Sequence, residues 1–172
     1  MTDDEATLER FRVHELLGRY VDTLNHRDWA RYAECWTEDG VLTMIFAGND
    51  SAPSDDIPDP AKPANLRVVG RQAILDLVAT YNRTDLNPWL FQIPTGVAVE
   101  LTGPATAQIR HTLVVNSHAN MQIGIFYDRA VREGDGVWRL THRDYRPSYA
   151  EPMQRTGQVY RTMPDPDYRS LP

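Results

Sequence analysis

Ala105–Tyr145 reads ATAQIRHTLVVNSHANMQIGIFYDRAVREGDGVWRLTHRDY, and this stretch decides the fold. Its apolar and β-branched runs break at His118-Ala119-Asn120 and at Glu133-Gly134-Asp135-Gly136, residue types that favour tight turns. Strands are expected at Ala105–Ser117, Ile123–Val131 and Val137–Tyr145. A further strand at Pro94–Leu101 precedes them across the break Thr102-Gly103-Pro104. Consecutive strands joined by short turns make an antiparallel meander.

Upstream the period changes from two to 3.6. Val13, Leu16, Leu17, Tyr20, Val21 and Leu24 share one helical face, with Glu9, Arg12, Glu15 and Arg19 on the other; the spacing predicts an amphipathic helix from about Leu8 to Leu24. Asp28 can cap a second helix with an inward stripe of Trp29, Tyr32, Ala33 and Trp36, stopped at Glu38-Asp39-Gly40. Val41–Phe46 then reads as a short strand. Residues 47–66 carry four prolines and four aspartates, so they hold neither ladder nor helix. They are a lid or a solvated insertion. Gly70–Tyr81 returns to helix, with Ile74, Leu77, Val78 and Tyr81 as its stripe. The tail 147–172 shows no period and is expected to be irregular. Helices followed by a meander give an α+β fold with helices on one face of the sheet.

At 172 residues the chain fits a single domain, 1–172, with a sizeable core. A net charge of −6 with no basic stripe argues against nucleic acid as a partner. No run approaches a membrane span, and MTDDEATLER lacks a signal-like apolar region, so a cytoplasmic location is expected. The lone Cys35 forms no internal disulfide and no cysteine zinc site. Histidine spacing suggests no metal, and no glycine-rich nucleotide fingerprint or nucleophile elbow is present, so no cofactor is expected.

Strand alternation sorts the meander into two faces. Pairing across the turns groups His111, Leu113, Val115, Ser117, Ile123, Ile125, Tyr127, Val131, Trp138, Leu140, His142 and Asp144. This mostly apolar set is expected to face the helices and a pocket. The set containing Arg110, Phe126, Asp128, Arg139, Arg143 and Tyr145 is expected to face outward, with Arg110, Asp128 and Arg143 as a cross-strand ion cluster. A register slip of one residue would exchange the faces. The polar inner residues are then His111, Ser117, Tyr127, His142 and Asp144. His142 beside Asp144 makes a candidate acid or base, its proton affinity raised by the carboxylate. Tyr127 and His111 are candidate donors to a developing oxyanion. Each of these also has a plain structural reading, as a buried polar group satisfied by its neighbours.

Val13-His14-Glu15-Leu16-Leu17-Gly18-Arg19-Tyr20, Asp28-Trp29-Ala30-Arg31-Tyr32, Trp36-Thr37-Glu38-Asp39-Gly40-Val41, Val69-Gly70-Arg71-Gln72-Ala73-Ile74, Phe126-Tyr127-Asp128 and Gly136-Val137-Trp138-Arg139-Leu140 occur in this order. Together they resemble the SnoaL-like branch of the nuclear-transport-factor-two-like superfamily, across roughly residues 8–145. The resemblance implies a cone: a curved antiparallel sheet, with about three N-terminal helices enclosing a cavity for a small hydrophobic ligand. It also implies self-association as a homodimer or homotrimer. Relatives include scytalone dehydratase, polyketide cyclases and steroid isomerases. It places Asn25 and Tyr20 where they could orient a substrate, although Tyr20 on its buried stripe also reads as core packing; Gln92 stands in the segment where some members carry a histidine, Trp36 and Trp89 read as core or cavity wall, and Ser117 joins the lining by strand alternation.

The aspartate–histidine dyad of some family members is absent. Asn25 stands where the aspartate is expected, and Leu90-Phe91-Gln92-Ile93 holds no histidine. An amide cannot take a proton usefully at neutral pH. The expected function is a cofactor-independent lyase, isomerase or cyclase acting by acid–base chemistry on a hydrophobic cyclic or polyketide-like metabolite. The alternative is a non-catalytic ligand-binding module, or a structural subunit resembling the small subunit of ring-hydroxylating dioxygenases.

Overall fold

The computed structural model describes residues 1–45, 65–83, 91–116 and 120–152, with side chains described except at 116, 120 and 147–152. Helix α1 spans Asp3–Asn25, starting earlier than its apolar period suggests. The reason is a capping box: Glu5 N donates to Thr2 Oγ1, and Thr2 N donates to the Glu5 carboxylate. Its buried face carries Val13, Leu16, Leu17, Tyr20 and Leu24, as the spacing predicts.

The second helix, α2, covers only Trp29–Ala33, capped by Asp28 as expected. Here the sequence reading is corrected. Trp36 and Glu38-Asp39-Gly40 lie inside strand β1, Trp36–Met44, and do not end a helix. Gly40 serves close packing: a Cβ there would stand 3.0 Å from Trp36 Cε3 and 3.2 Å from the Thr37 carbonyl. A short strand β2, Leu66–Val69, and helix α3, Arg71–Tyr81, follow. The meander consists of β3 (Phe91–Gly103), β4 (Thr106–Asn116), β5 (Asn120–Arg132) and β6 (Trp138–Pro152). Strand β6 therefore runs into the segment expected to be irregular. Residues 153–172, and all but the last residues of the 47–66 loop, lie outside the described part.

The strands form one curved, unclosed six-stranded sheet in the order β2-β1-β6-β5-β4-β3. It is mixed: β1 pairs with β6 in parallel, and every other neighbour is antiparallel. Helices and sheet share a core that includes Leu16, Tyr20, Tyr32, Trp36, Ile74, Leu113, Phe126 and Leu140. Glu9 anchors α1 to the meander. Its buried carboxylate accepts from Trp138 Nε1 at 2.7 Å and from Arg132 Nη1 and Arg12 Nη1.

Two register details overturn the expected inner face. His111 stands opposite Phe126, and Arg110 opposite Tyr127, one residue away from the pairing expected from the sequence. In β6, Leu140 pairs with Ala130 but His142 pairs with Arg129, leaving Thr141 as the extra residue of a bulge. A bulge resets the alternation. Trp138 and Leu140 face inward before it; Arg143 and Tyr145 face inward after it.

Candidate functional site

The bulge and the register bring His111, Phe126, Asp128, Arg143 and Tyr145 onto the helix-facing side of the sheet. His111 and Asp128 are each 2 % exposed and Arg143 is 0 % exposed. Asp128 lies directly across from Arg143 in the β5–β6 pair. Arg143 grips it side-on: Nε donates to Oδ1 at 2.8 Å and Nη2 to Oδ2 at 2.6 Å. His111 Nε2 lies 3.2 Å from the same Oδ2 and 3.3 Å from Arg143 Nη2.

Aromatic rings enclose this cluster. The Arg143 guanidinium carbon sits 3.9 Å from the centroid of the Tyr20 ring and 4.6 Å from that of Phe126, a desolvated cation–π arrangement. Phe126 stacks on His111 at 5.0 Å and on Tyr145 at 4.6 Å. A Cβ at Gly124 would collide with the Tyr145 ring, so the glycine gives that ring its place. The Tyr32 hydroxyl donates to that of Tyr20 at 3.2 Å, and Trp36 packs edge-on to Tyr20.

The electrostatics follow from burial and pairing. Burial alone would raise the Asp128 pKa. The charge and hydrogen bonds of Arg143, helped by His111, outweigh it and hold the carboxyl below its usual range. Asp128 holds Arg143 firmly protonated despite burial. Burial pushes Tyr145 up to about 12, and burial reinforced by Tyr20 pushes Tyr32 well up.

An ionised carboxylate only accepts. His111 Nε2 stands between two partners: as Nε2–H it donates to Asp128 Oδ2, and as a bare nitrogen it accepts from Arg143 Nη2. With Nε2–H bound to Asp128, the buried Nδ1 has no hydrogen-bond partner, and neither has Arg143 Nη1. Unpartnered buried polar atoms are rare, and each calls for an explanation. The cluster thus leaves one imidazole nitrogen and one guanidinium nitrogen without partners.

The expected site residues divide between two faces. His111, Tyr20 and Trp36 are on the inner side, as expected. Asn25 and Gln92 are joined: Asn25 Nδ2 donates to the Gln92 carbonyl at 3.1 Å, and Gln92 N donates to Asn25 Oδ1 at 2.9 Å. The amide thus clips α1 to β3, and the Gln92 side-chain oxygen is buried without a partner. Tyr127, His142 and Asp144 do not join His111. They lie on the opposite face, lining an open groove of about 510 Å³ with Glu100, Gln108, Arg110 and Arg129. Tyr127 is 44 % exposed.

Nor does Asp144 tune His142 upward. Burial lowers the His142 pKa and outweighs the carboxylate, which pairs instead with Arg146 at 3.0 Å. The expected outer ion cluster is half right: Asp128 and Arg143 pair, but inside, while Arg110 stays exposed. Trp89 and Ser117 lie outside the described residues. Among the described residues, no three His, Cys, Asp or Glu side chains are grouped to hold a metal, and no helix is long and apolar enough to cross a membrane.

Asp128, Arg143, Phe126 and Tyr145 were missed as site residues. The signal for them is the opposite charge of Asp128 and Arg143 at mutually paired positions, which becomes visible only once the bulge is known.

A model of the SnoaL-like domain matches residues 5–144. Among solved structures, the chain is similar to a variant of Rv3472 of Mycobacterium tuberculosis, a protein of unknown function. Identity is 25% and the TM-score 0.62, over 84% of this chain and 75% of that one. It is also similar to hexachlorocyclohexane dehydrochlorinase LinA-type3 of Novosphingobium barchaimii, at 16% identity and TM-score 0.70, over 93% and 100%. A candidate scytalone dehydratase of Novosphingobium aromaticivorans matches at 14% identity and TM-score 0.70, over 92% and 100%. No curated protein matches.

Proposed function

We propose that this chain, which belongs to the SnoaL-like domain family, converts a small hydrophobic molecule by acid–base chemistry at His111, as a lyase or isomerase. One observation carries this reading: a buried imidazole oriented by Asp128 through Nε2, with Nδ1 left unpartnered. A positioned histidine is the commonest proton carrier near neutral pH. Aromatic rings on several sides suit a flat or cyclic substrate. The dehydrochlorinase and dehydratase names of similar structures agree with elimination, although that likeness is one of fold.

The base differs from the one the family resemblance suggests. Asn25 is held by backbone, and His111 comes from the middle of the sheet. The test is proton exchange from carbon. Wild-type protein should catalyse deuterium uptake from D2O into 2-tetralone, followed by NMR, and His111→Gln should slow it about 10²-fold or more. Equal exchange rates in the two proteins would refute the assignment.

A second reading, binding without turnover, is favoured by the same Asn25 clip, which uses the expected catalytic position to hold β3. It predicts 2-tetralone binding with no exchange. We further propose self-association through the outer sheet face, where Phe91, Ile93 and Tyr127 are exposed. Light scattering would decide it.

A further inference from the structure

We infer that the outer face of the sheet carries a second ligand site, a groove that holds an aromatic monocarboxylate between Arg110, Arg129 and Tyr127. The groove measures about 510 Å³ and runs across strands β3 to β6, a size that takes a molecule of one or two rings. Its floor is a grid set by the register. Arg110, Tyr127 and Asp144 stand opposite one another in one row, and Gln108, Arg129 and His142 in the next. Arg110 and Arg129 are therefore diagonal neighbours, close enough for two long side chains to converge on one carboxylate.

The absence of a partner sets these two arginines apart. Arg12, Arg71, Arg132, Arg139, Arg143 and Arg146 each hold a carboxylate. Among the described residues Arg110 and Arg129 hold none, although Glu100 lines the same groove. Asp144 does not neutralise them either, because Arg146 holds it at 3.0 Å. His142 is half-buried, and burial keeps its ring neutral near pH 7. Two free cations thus face the single free carboxylate of Glu100. The groove keeps one positive charge in excess, on a chain whose net charge is −6.

Charge and shape select the ligand. A monoanion matches the excess charge, whereas a phosphate group carrying about −1.5 to −2 would overshoot it beside Glu100 and Asp144. The Tyr127 ring is 44 % exposed, with the Arg146 guanidinium 5.4 Å from its centroid. An aryl group can lie against that ring and the guanidinium planes while its carboxylate takes the two arginines. Gln108 and the neutral His142 can hydrogen-bond a ring substituent.

The sheet separates this groove from the His111 cluster, since Asp128 and Arg143 point inward between neighbours that point outward. Binding here is therefore independent of proton chemistry at His111. It also leaves room for self-association at the apolar end of the face. Ile93 pairs with Val114, four residues along β4 from Arg110 and about 13 Å away.

The test is a titration of isotope-labelled protein with 2-naphthoate, followed by amide NMR. The Tyr127, Arg129 and His142 amides should shift together. Affinity should fall at least about tenfold in Arg110→Gln/Arg129→Gln, which changes only exposed side chains, and uncharged 2-naphthol should bind wild type at least about tenfold more weakly. Glu100→Gln should tighten binding, and Arg10→Gln, on the exposed side of α1, should leave it unchanged. An affinity unaltered by the double variant, shifts confined to the inner face, or displacement of the ligand by an equal concentration of inorganic phosphate would overturn the inference. So would no binding, or a double variant whose effect light scattering traces to loss of a dimer that covers the groove.

Discussion

Replacing Asp128 with asparagine removes the one negative charge paired with Arg143 among the described residues. The arginine is 0 % exposed, and Asp128 accepts from it at 2.8 and 2.6 Å, with His111 at 3.2 Å. An asparagine oxygen can replace only one of the two carboxylate oxygens; its NH2 then faces either Arg143 Nε, or Arg143 Nη2 and His111 Nε2 together. Breaking one side of a buried pair typically costs about 3–5 kcal/mol. Against a total stability of about 5–15 kcal/mol for a domain, that is a large fraction. It corresponds to a fall in Tm of roughly 6–20 °C at about 2–4 °C per kcal/mol. Urea unfolding at pH 7, with m unchanged, measures it. The matched control is Asp128→Leu/Arg143→Met, which removes both charges and should recover most of the loss, since apolar replacement of buried pairs is often neutral or better. An Asp128→Asn variant within about 1 kcal/mol of wild type, or a double variant no more stable than the single, would refute the reasoning.

Three further outcomes are expected. The depressed Asp128 pKa means its stabilisation is complete above the unfolded-state value near 3.9 and is lost as pH falls through the lower folded value; acid unfolding followed by far-UV circular dichroism should show this component in wild type and not in Asp128→Leu/Arg143→Met. Asn25→Asp, which supplies the carboxylate of the familiar dyad, should set an oxygen against the Gln92 carbonyl now 3.1 Å from Nδ2, costing about 1–3 kcal/mol in urea unfolding and giving no gain in 2-tetralone exchange. Gly40→Ala should cost about 1–3 kcal/mol by overpacking, measured as a lower Tm, because the new methyl meets Trp36 and the Thr37 carbonyl.

Much of the fold was legible in the sequence. The α1 stripe from Val13 to Leu24, the α3 stripe and the four meander strands all follow from simple periods, because each element buries one face. Pairings distant in sequence left no local signal. Nothing near Leu42 announces that it lies parallel to Arg143, and Trp36 has the spacing of a helical residue while serving a strand. The site failed for a sharper reason. Asp128 and Arg143 look like surface residues one at a time, and only their mutual neutralisation lets them be buried. Thr141 then shifts β6 by one place, so His142 and Asp144, counted onto the inner face from Trp138 and Leu140, fall on the outer one. His111 was found because β4 alternates without interruption from Ala107 to Val115.

The place of β6 between β1 and β5 has a consequence for biosynthesis. Thr37 Oγ1 donates to the carbonyl of Leu140, 103 positions along the chain, so β1 leaves the ribosome long before its neighbour exists. Until β6 emerges, β1–β2 and the β3–β4–β5 meander cannot join into one sheet, and helix α1, clipped to β3 through Asn25 and Gln92, is what links them. Strand β6 is the seam between them, and it also delivers Arg143. Asp128 must wait as a solvated carboxylate, and His111 as an unoriented ring, until the same event that closes the sheet. In a nascent chain, completion of the fold and assembly of the candidate site are therefore one step. A chain stalled before Arg143 should display an open strand edge and no functional centre.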